Sequence, residues 1–138
     1  MVLGLVPQEE EKRIFAKLLE YYKKLYPEVR FRMEEELLDH KKIGNLYYTY
    51  PGEETEATAE EKMRMISSAV GQSYATPMII LKKKGKYIML DGHRRARVAF
   101  REGMNWHALL IVPDKSIKFG IEKMILGKVK DIYPSPGS

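Results

Sequence analysis

The sequence predicts a mixed α/β domain in which helices pack on a sheet of about five strands. Two observations support this fold class. Apolar residues recur every three or four positions in some segments, as in amphipathic helices, and alternate or run unbroken in others, as in strands. The chain has 138 residues, which fits one domain with a sizeable hydrophobic core. We therefore expect a single core rather than two domains.

Five segments have the pattern of helices. The clearest covers residues 8–26 and is stopped by Pro27. Another begins near Thr58, whose spacing to Glu61 is that of a capping box. The segment from His93 is closed by Gly103. The five predicted helices are residues 8–26, one or two turns within 34–40, residues 58–70, 93–102 and 116–126.

Five other segments have the pattern of strands. The run at 106–112 is almost entirely apolar, which indicates a strand buried on both faces of the sheet. The segments at 78–81 and 86–90 flank a Lys-Lys-Lys-Gly turn, which predicts a hairpin. The five predicted strands are residues 29–33, 46–50, 78–81, 86–90 and 106–112.

The order of these segments suggests how the chain is organised. We expect a helical extension at residues 1–44 packed on a core at 45–130, followed by a disordered tail at 131–138 rich in Pro, Gly and Ser. No apolar run approaches the roughly 20 residues that span a bilayer, so we expect a cytoplasmic protein without membrane contact. Abundant Lys and Glu with little Asn and Gln favour a thermophilic source.

Composition also restricts the chemistry. The absence of cysteine excludes disulfides, thiolate metal sites and thiol-based catalysis. The net charge of +5 makes anionic partners such as nucleotides or DNA plausible without choosing between them. The position of the charge is therefore more informative than its sum.

The most informative segment is the strand, turn and helix at residues 87–101. Three arginines occupy four positions at the start of the helix, at Arg94, Arg95 and Arg97. A helix N-terminus already carries a partial positive charge, so each cation there is disfavoured by about 0.3–1 kcal/mol. An anion should offset this charge. Free backbone N–H groups at a helix start bind phosphate well, and Gly92 lets a ligand approach the backbone closely.

A helical wheel separates the arginines. Arg94, Arg97 and Arg101 share one stripe, while Arg95 borders the buried face and is expected to be the least solvated, holding either a ligand or a structural carboxylate. Simpler interpretations remain open. Asp91 can serve only as an N-cap, His93 can simply pack in the turn, and the stripe can be solvated. The arginines can also pair with the acidic residues Glu53, Glu54 or Glu56.

With these residues in view, the run Leu90-Asp91-Gly92-His93-Arg94-Arg95-Ala96-Arg97 resembles the signature of the ParB/sulfiredoxin superfamily. ParB N-terminal domains carry a Gly-Glu-Arg-Arg-x-Arg-Ala run after a strand, and that run binds the phosphates of CTP. The resemblance covers residues 46–113. It implies a small ParB/sulfiredoxin-like domain that binds nucleotide phosphate through Gly92, His93, Arg94, Arg95 and Arg97.

Three branches of the superfamily differ in chemistry. Sulfiredoxins use a cysteine that this chain lacks, so their reaction is excluded. The archaeal ADP-dependent free-serine kinases are most similar, with Asp-Gly-His-His-Arg where this chain has Asp91-Gly92-His93-Arg94-Arg95. They place a catalytic Glu in a Pro-x-Glu turn, which matches Pro51-Gly52-Glu53, with Glu54 and Glu56 as register alternatives. The chain departs from this pattern at Arg94, which stands in place of the second His.

Two functions follow from the resemblance. The first is a phosphotransferase that uses ADP or ATP, or CTP, with Mg²⁺, to act on a small hydroxyl substrate such as serine. Its catalytic residues are Glu53 as the base, with Asp91 and His93. The second is a non-catalytic nucleotide-binding or DNA-binding module, in which the Lys82-Lys83-Lys84 turn and the Arg30/Arg32 pair contact phosphates. The oligomeric state is left open.

Overall fold

Six strands in the described part of the chain form one mixed sheet. The structure is a computed structural model that describes residues 5–52 and 54–134. The order across the sheet is β1-β5-β3-β4-β2-β6. The pairs β5/β3 and β4/β2 are parallel, and the other three pairs are antiparallel. The strands are β1 (Phe31–Leu38), β2 (Tyr47–Thr49), β3 (Met78–Lys83), β4 (Lys86–Asp91), β5 (Trp106–Pro113) and β6 (Ile125–Lys128).

The apolar central strands divide the core between two faces of the sheet. Successive side chains of a strand point to opposite faces. In β5, Ala108 and Leu110 therefore enter one hydrophobic cluster, while Leu109 and Ile111 enter the other. The expectation that this run is buried on both faces is confirmed.

Helices cover both faces of the sheet. α1 (Gln8–Leu25) packs Phe15 and Tyr22 on the face that carries Leu109 and Ile111. Four helices and their flanking residues cover the opposite face: α2 (His40–Gly44), α3 (Glu56–Val70), α4 (His93–Arg101) and α5 (Val129–Ile132). Among the described residues, no helix has both the length and the apolar character needed to cross a membrane.

The predicted fold class is confirmed, and the hairpin and the helices at 8–26 and 93–102 lie where the sequence placed them. The helix after the acidic stretch begins earlier than expected. Its N-cap is Thr55, whose hydroxyl oxygen accepts a hydrogen bond from the backbone N–H of Thr58 (3.1 Å). An N-cap side chain satisfies a donor that the first turn leaves free, so Thr55 takes the role that we expected of Thr58.

Two helix predictions are wrong. Residues 34–38 belong to β1, which pairs with β5 along its full length. In the segment at 116–126 only Gly120–Met124 is helical, as a single 3₁₀ turn, and Ile125 begins the sixth strand. In both cases an open sheet edge offers backbone hydrogen bonds that local propensity does not reveal. Residues 1–44 are therefore more than a helical extension, because they supply an edge strand.

The C-terminal region also differs from the prediction of a disordered tail at 131–138. Asp131 and Ile132 belong to α5, whose first residue, Val129, is buried in the core. The backbone N–H of Val129 donates to the carbonyl of Leu46 (3.0 Å), which ties the helix to the residue before β2. Residues 135–138 lie outside the described residues.

Candidate functional site

A cleft of about 150 Å³ opens where β4 leads into α4. Because β2 and β4 are parallel, their C-terminal ends lie at the same edge of the sheet, and the residues that follow them meet there. The described residues that line the cleft are Leu5, Val6, Pro51, Lys62, Ile66, Tyr74 and the run Asp91-Gly92-His93-Arg94-Arg95. The structure thus places Pro51, part of α3 and the predicted turn at residues 91–95 around one cavity.

Gly92 makes the tight turn from strand to helix. It is the N-cap of α4 and has a φ of +95°, in the region that favours glycine. A Cβ at this position would lie 3.1 Å from Met78 Cγ and 3.2 Å from Met78 Cα. It would also lie 3.3 Å from Arg95 Cζ. The space beside Gly92 is therefore filled by the protein itself, and close packing rather than a ligand requires glycine on that side.

Arg95 is directed into the protein and is only 5% exposed, which confirms that it is the least solvated arginine of the helix. Its Nη1 donates to the Pro77 carbonyl (2.6 Å) and, at 3.4 Å, to that of Thr76. The same nitrogen lies 3.0 Å from Glu11 Oε2. This guanidinium joins α4, β3 and α1, so its partners are structural.

Glu11 is a residue that the sequence analysis missed. It lies in the first turn of α1, its side chain is 0% exposed, and it faces Arg95. Its position could have been found, because Glu11 precedes Phe15 by four residues and so lies on the apolar stripe of the helix. A carboxyl group on such a stripe needs a buried partner, and here the partner is Arg95.

Asp91 is the last residue of β4, and its side chain remains 37% exposed beside the cleft. Its Oδ2 lies 3.4 Å from Arg95 Nη2. The alternative that Asp91 serves only as an N-cap is wrong, because Gly92 takes the N-cap position. Asp91 is thus a carboxylate that faces both solvent and the buried arginine.

His93 is neutral and has a defined tautomer. Its Nε2 lies 2.8 Å from the Thr49 hydroxyl, and that hydroxyl donates its one proton to the Met89 carbonyl (2.9 Å). The imidazole must therefore donate from Nε2, which leaves a lone pair on Nδ1. Burial, with the charges of Arg94 and Arg95, lowers the pKa of His93 to about 4 against the opposing effect of Asp91.

The remaining arginines of α4 form ion pairs with carboxylates at and before the start of α3. The alternative that they pair with the acidic stretch is confirmed, whereas Glu53 lies outside the described residues. The pairs are Arg94 Nη1 with Glu54 Oε2 at 2.7 Å, Arg97 Nη2 with Glu56 Oε1 at 2.6 Å and Arg101 Nη1 with Glu60 Oε2 at 3.4 Å. The excess positive charge at the start of α4 is thus partly offset from within the chain.

Arg94 and Arg97 differ in their availability to a ligand. The side chain of Arg97 is only 7% exposed, and its Cζ lies 3.7 Å from the centre of the Tyr133 ring. The alternative that Arg97 belongs to a solvated face is therefore wrong. Arg94 is one-third exposed and lines the cleft together with Lys62, whose Nζ is 3.9 Å from Glu54 Oε1. Of the predicted arginines, Arg94 alone combines access to the cleft with a partly exposed side chain.

No family model, no curated protein and no solved structure shows a significant match to this chain. The likeness to the ParB/sulfiredoxin superfamily therefore rests on the motif at residues 90–97 and on the order of the elements around it.

Proposed function

We propose that this chain binds a phosphate group of a nucleotide in the cleft at the start of α4. One observation carries the proposal: the cleft brings the N-terminus of a nine-residue helix together with two cationic side chains, Arg94 and Lys62. The first N–H groups of a helix have no acceptor within the helix, and Gly92 has no side chain to cap them. An anion in the cleft would accept hydrogen bonds from these N–H groups and would pair with the two cationic side chains.

The size of the cleft limits what it holds. Complete small-molecule sites usually enclose about 300–1,000 Å³. A volume of about 150 Å³ accommodates phosphate groups but not a whole nucleotide. The sugar and base would therefore extend out of the cavity, whose lining includes the apolar side chains of Leu5 and Tyr74. The proposal covers adenine and cytosine nucleotides alike.

Among the predicted phosphate ligands, the structure supports a division of roles. Arg94 would contact the phosphate, together with the backbone at Gly92 and His93, because all three residues line the cleft. Arg95 would hold the turn rigid from below, since its guanidinium faces Glu11 and the Thr76 and Pro77 carbonyls. Arg97, which packs on Tyr133 and pairs with Glu56, would act on the phosphate only through the shape of the helix.

We also propose that the chain belongs to the ParB/sulfiredoxin superfamily, and the order of its elements supports this. The motif residues form a strand, a tight turn at Gly92 and a helix, as in the family signature. The preceding helix, α3, packs on α4. Glu54, in the acidic stretch that follows Pro51, accepts a hydrogen bond from Arg94, an arrangement in keeping with what the free-serine kinases would require.

A phosphotransferase acting on a small hydroxyl substrate such as serine is a second candidate. The specific observation is a carboxylate and a neutral imidazole beside the cleft, Asp91 and His93. A lone pair on His93 Nδ1, or the Asp91 carboxylate, can accept a proton from a hydroxyl as a phosphoryl group is transferred. Glu53, the predicted base, lies outside the described residues, and Glu54 is held by Arg94.

Mg²⁺ would fit this second candidate through Asp91. The described residues contain no group of three or more side chains able to hold a metal ion. Mg²⁺ in nucleotide enzymes commonly needs only one or two carboxylates, because phosphate oxygens and water complete its shell. Asp91 is the carboxylate that faces the cleft, and bound Mg²⁺ would neutralise charge on the phosphates there.

DNA binding receives less support. The cations that would contact a phosphate backbone are largely paired with carboxylates. Lys83 lies 2.8 Å from Glu122, and both Lys82 and Arg32 contact Glu34, at 3.4 and 2.6 Å. Each paired cation releases fewer counterions on DNA binding, so the salt-dependent term in affinity would be small.

Isothermal titration with ADP, ATP and CTP, each with Mg²⁺, tests the proposal. We expect one nucleotide to bind to the unsubstituted chain and Arg94→Ala to weaken it at least tenfold, the loss of one charge-assisted contact. Arg13→Ala is the matched control, because Arg13 is an exposed arginine of α1 whose ion pair, among the residues that the structure describes, is with Glu10. Absence of binding, or equal weakening in both variants, would contradict a phosphate site at α4.

A further inference from the structure

The strand β1 lies at one end of the sheet and has a regular, open edge. It spans eight residues, and no further strand of the described residues pairs with its outer side. Its register on β5 runs without interruption from Phe31 to Leu38. At the other end of the sheet, β6 has only four residues and a register shift opposite β2. Proteins usually shorten or distort edge strands, because a long regular edge can pair with another chain.

The pairing of β1 with β5 shows which backbone groups are directed to the outer side. The N–H of Asp114 donates to the carbonyl of Arg30 (2.9 Å), which makes these two residues a hydrogen-bonded pair. Hydrogen-bonded and non-hydrogen-bonded pairs alternate along antiparallel strands. The even-numbered residues of β1 therefore bond to β5, and the odd-numbered ones direct their N–H and C=O groups outward: Phe31, Met33, Glu35 and Leu37. In agreement, Phe31 lies opposite Pro113, which has no N–H to donate.

Two of these outward-directed residues also expose large apolar side chains. Met33 is 54% exposed and Leu37 is 52% exposed. Both lie on the face of the sheet that α1 covers further in, since Met33 pairs with Ile111 of β5. An edge strand that combines outward backbone groups with exposed apolar side chains is suited to the addition of another strand.

The charges of β1 favour a second copy of the chain as the added strand. In an antiparallel pair with Glu34 opposite Glu34, Arg32 of each copy lies opposite Glu36 of the other. Opposite charges at directly opposed positions stabilise a sheet, because their Cβ atoms are only about 4.5–5.5 Å apart. The two Glu34 carboxylates also meet, but each is already paired within its own chain, with Arg32 at 2.6 Å and Lys82 at 3.4 Å.

The same alignment uses all the outward-directed residues of the edge. Phe31 lies opposite Leu37 and Met33 opposite Glu35, and the two-fold symmetry repeats each pair. These four pairs would exchange about eight backbone hydrogen bonds. An alignment centred on Met33 also brings opposite charges together, with Arg32 opposite Glu34. It forms only three such pairs, however, and leaves Leu37 uncovered.

We propose that two copies of this chain associate through their β1 strands, antiparallel and about a two-fold axis at Glu34. The two sheets then form one sheet of twelve strands, twice the six of a single copy. β5 and β3 separate this edge from β4, so the interface is distinct from the cleft. An interface made mainly of one strand from each copy lies at the small end of the range for specific complexes, and we expect monomer and dimer to exchange.

Sedimentation velocity over a range of protein concentrations tests the association. We expect the mass to rise from the 16.1 kDa of one chain towards twice that value. Glu35→Pro should stay monomeric, because it removes an outward N–H and leaves the bonds between β1 and β5 intact. Glu35→Ala is the matched control, since it loses the same carboxylate but keeps the N–H, and it should associate like the unsubstituted chain.

A charge exchange tests the alignment without altering the backbone. Arg32→Glu places like charges opposite each other twice in a dimer, and so does Glu36→Arg. Each variant alone should therefore associate about tenfold more weakly. In an equimolar mixture, one charge pair is reversed and the other is the original, so association should return. In an alignment centred on Met33 the mixture would not recover, because the glutamate introduced at position 32 would face Glu34.

Engineered cysteines give a third readout, because the chain has none of its own. Across a non-hydrogen-bonded pair the Cα atoms are about 4.5 Å apart, within the range of about 4.4–6.8 Å that a disulfide bridges. With oxidised glutathione as the oxidant, Glu34→Cys should form a disulfide-linked dimer. Met33→Cys is the matched control, because its diagonal neighbour in the other copy is about 7–8 Å away.

The failures differ from one another. A monomer at every concentration overturns the inference, and slow hydrogen exchange of the Met33 and Glu35 amides in that monomer would show that another segment covers the edge. A dimer that survives Glu35→Pro overturns the strand pairing. Cross-linking through Met33→Cys but not Glu34→Cys overturns the alignment. If Glu35→Pro does not fold, the charge exchange decides in its place. None of these readouts requires nucleotide binding, so the proposed function stands or falls separately.

Discussion

Substitution of Gly92 by alanine tests how tightly the turn before α4 is packed. Gly92 has a φ of +95°, which costs a residue with a Cβ about 1–2 kcal/mol. The new Cβ would also lie 3.1–3.3 Å from three atoms of Met78 and Arg95. One of those atoms is the Cα of Met78, in a central strand that cannot easily move.

The crowding adds to the backbone cost. Forcing a methyl group into a well-packed site typically costs about 1–3 kcal/mol. Alanine also restricts the unfolded chain, which stabilises the folded protein by about 0.4–1 kcal/mol and offsets part of this cost. The sum predicts that Gly92→Ala lowers the free energy of unfolding by about 2–4 kcal/mol.

Gly85→Ala is a matched control. Gly85 also has a positive φ, +76°, but no atom lies within 4 Å of its ideal Cβ position. It therefore shares the backbone cost and the unfolded-state term without the crowding, and should lose only about 1 kcal/mol. The difference between the two variants, about 1–3 kcal/mol, isolates the contact with Met78 and Arg95.

Urea denaturation of both variants, followed by circular dichroism, measures this difference. The slope of free energy against urea should be unchanged, so that the midpoints report stability directly. Equal losses in Gly92→Ala and Gly85→Ala would refute the packing argument. The requirement for glycine would then come from backbone conformation alone.

Three further predictions concern the charged groups of the site. Glu54→Gln should raise the affinity for pyrophosphate roughly tenfold, because Arg94 loses a competing carboxylate; unchanged affinity in calorimetry would place the phosphate elsewhere. The pKa of His93 is lowered from 6.5 to about 4. The contribution of His93 to the free energy of unfolding is therefore complete above pH 6.5 and is lost as pH falls towards 4. This loss is at most about 3 kcal/mol, should disappear in His93→Gln, and is measured by urea denaturation between pH 4 and 7. Arg97→Ala should cost about 2 kcal/mol through lost packing on Tyr133, measured as a lower Tm, and a thermal midpoint equal to that of the unsubstituted chain would contradict it.

The helices at 8–25 and 93–101, the β3–β4 hairpin and the buried strand β5 could be predicted from the sequence. Their patterns are local: each apolar period extends over a whole element and is closed by a proline, glycine or turn residue. The same reasoning placed Arg95 on the buried side of its helix and the other three arginines on one stripe. Helical periodicity fixes which residues share a face, whatever that face contacts.

Only the tertiary structure decided what those faces meet. Residues 34–38 and 125–128 became strands because sheet edges, far away in sequence, supplied their hydrogen bonds. Arg97 became a packed residue beside Tyr133, and Glu11 became the buried partner of Arg95, 84 positions later in the chain. A periodic pattern specifies the face of an element, but the partner of a buried charge depends on which elements pack together. That choice comes from the whole core and is encoded in no single segment.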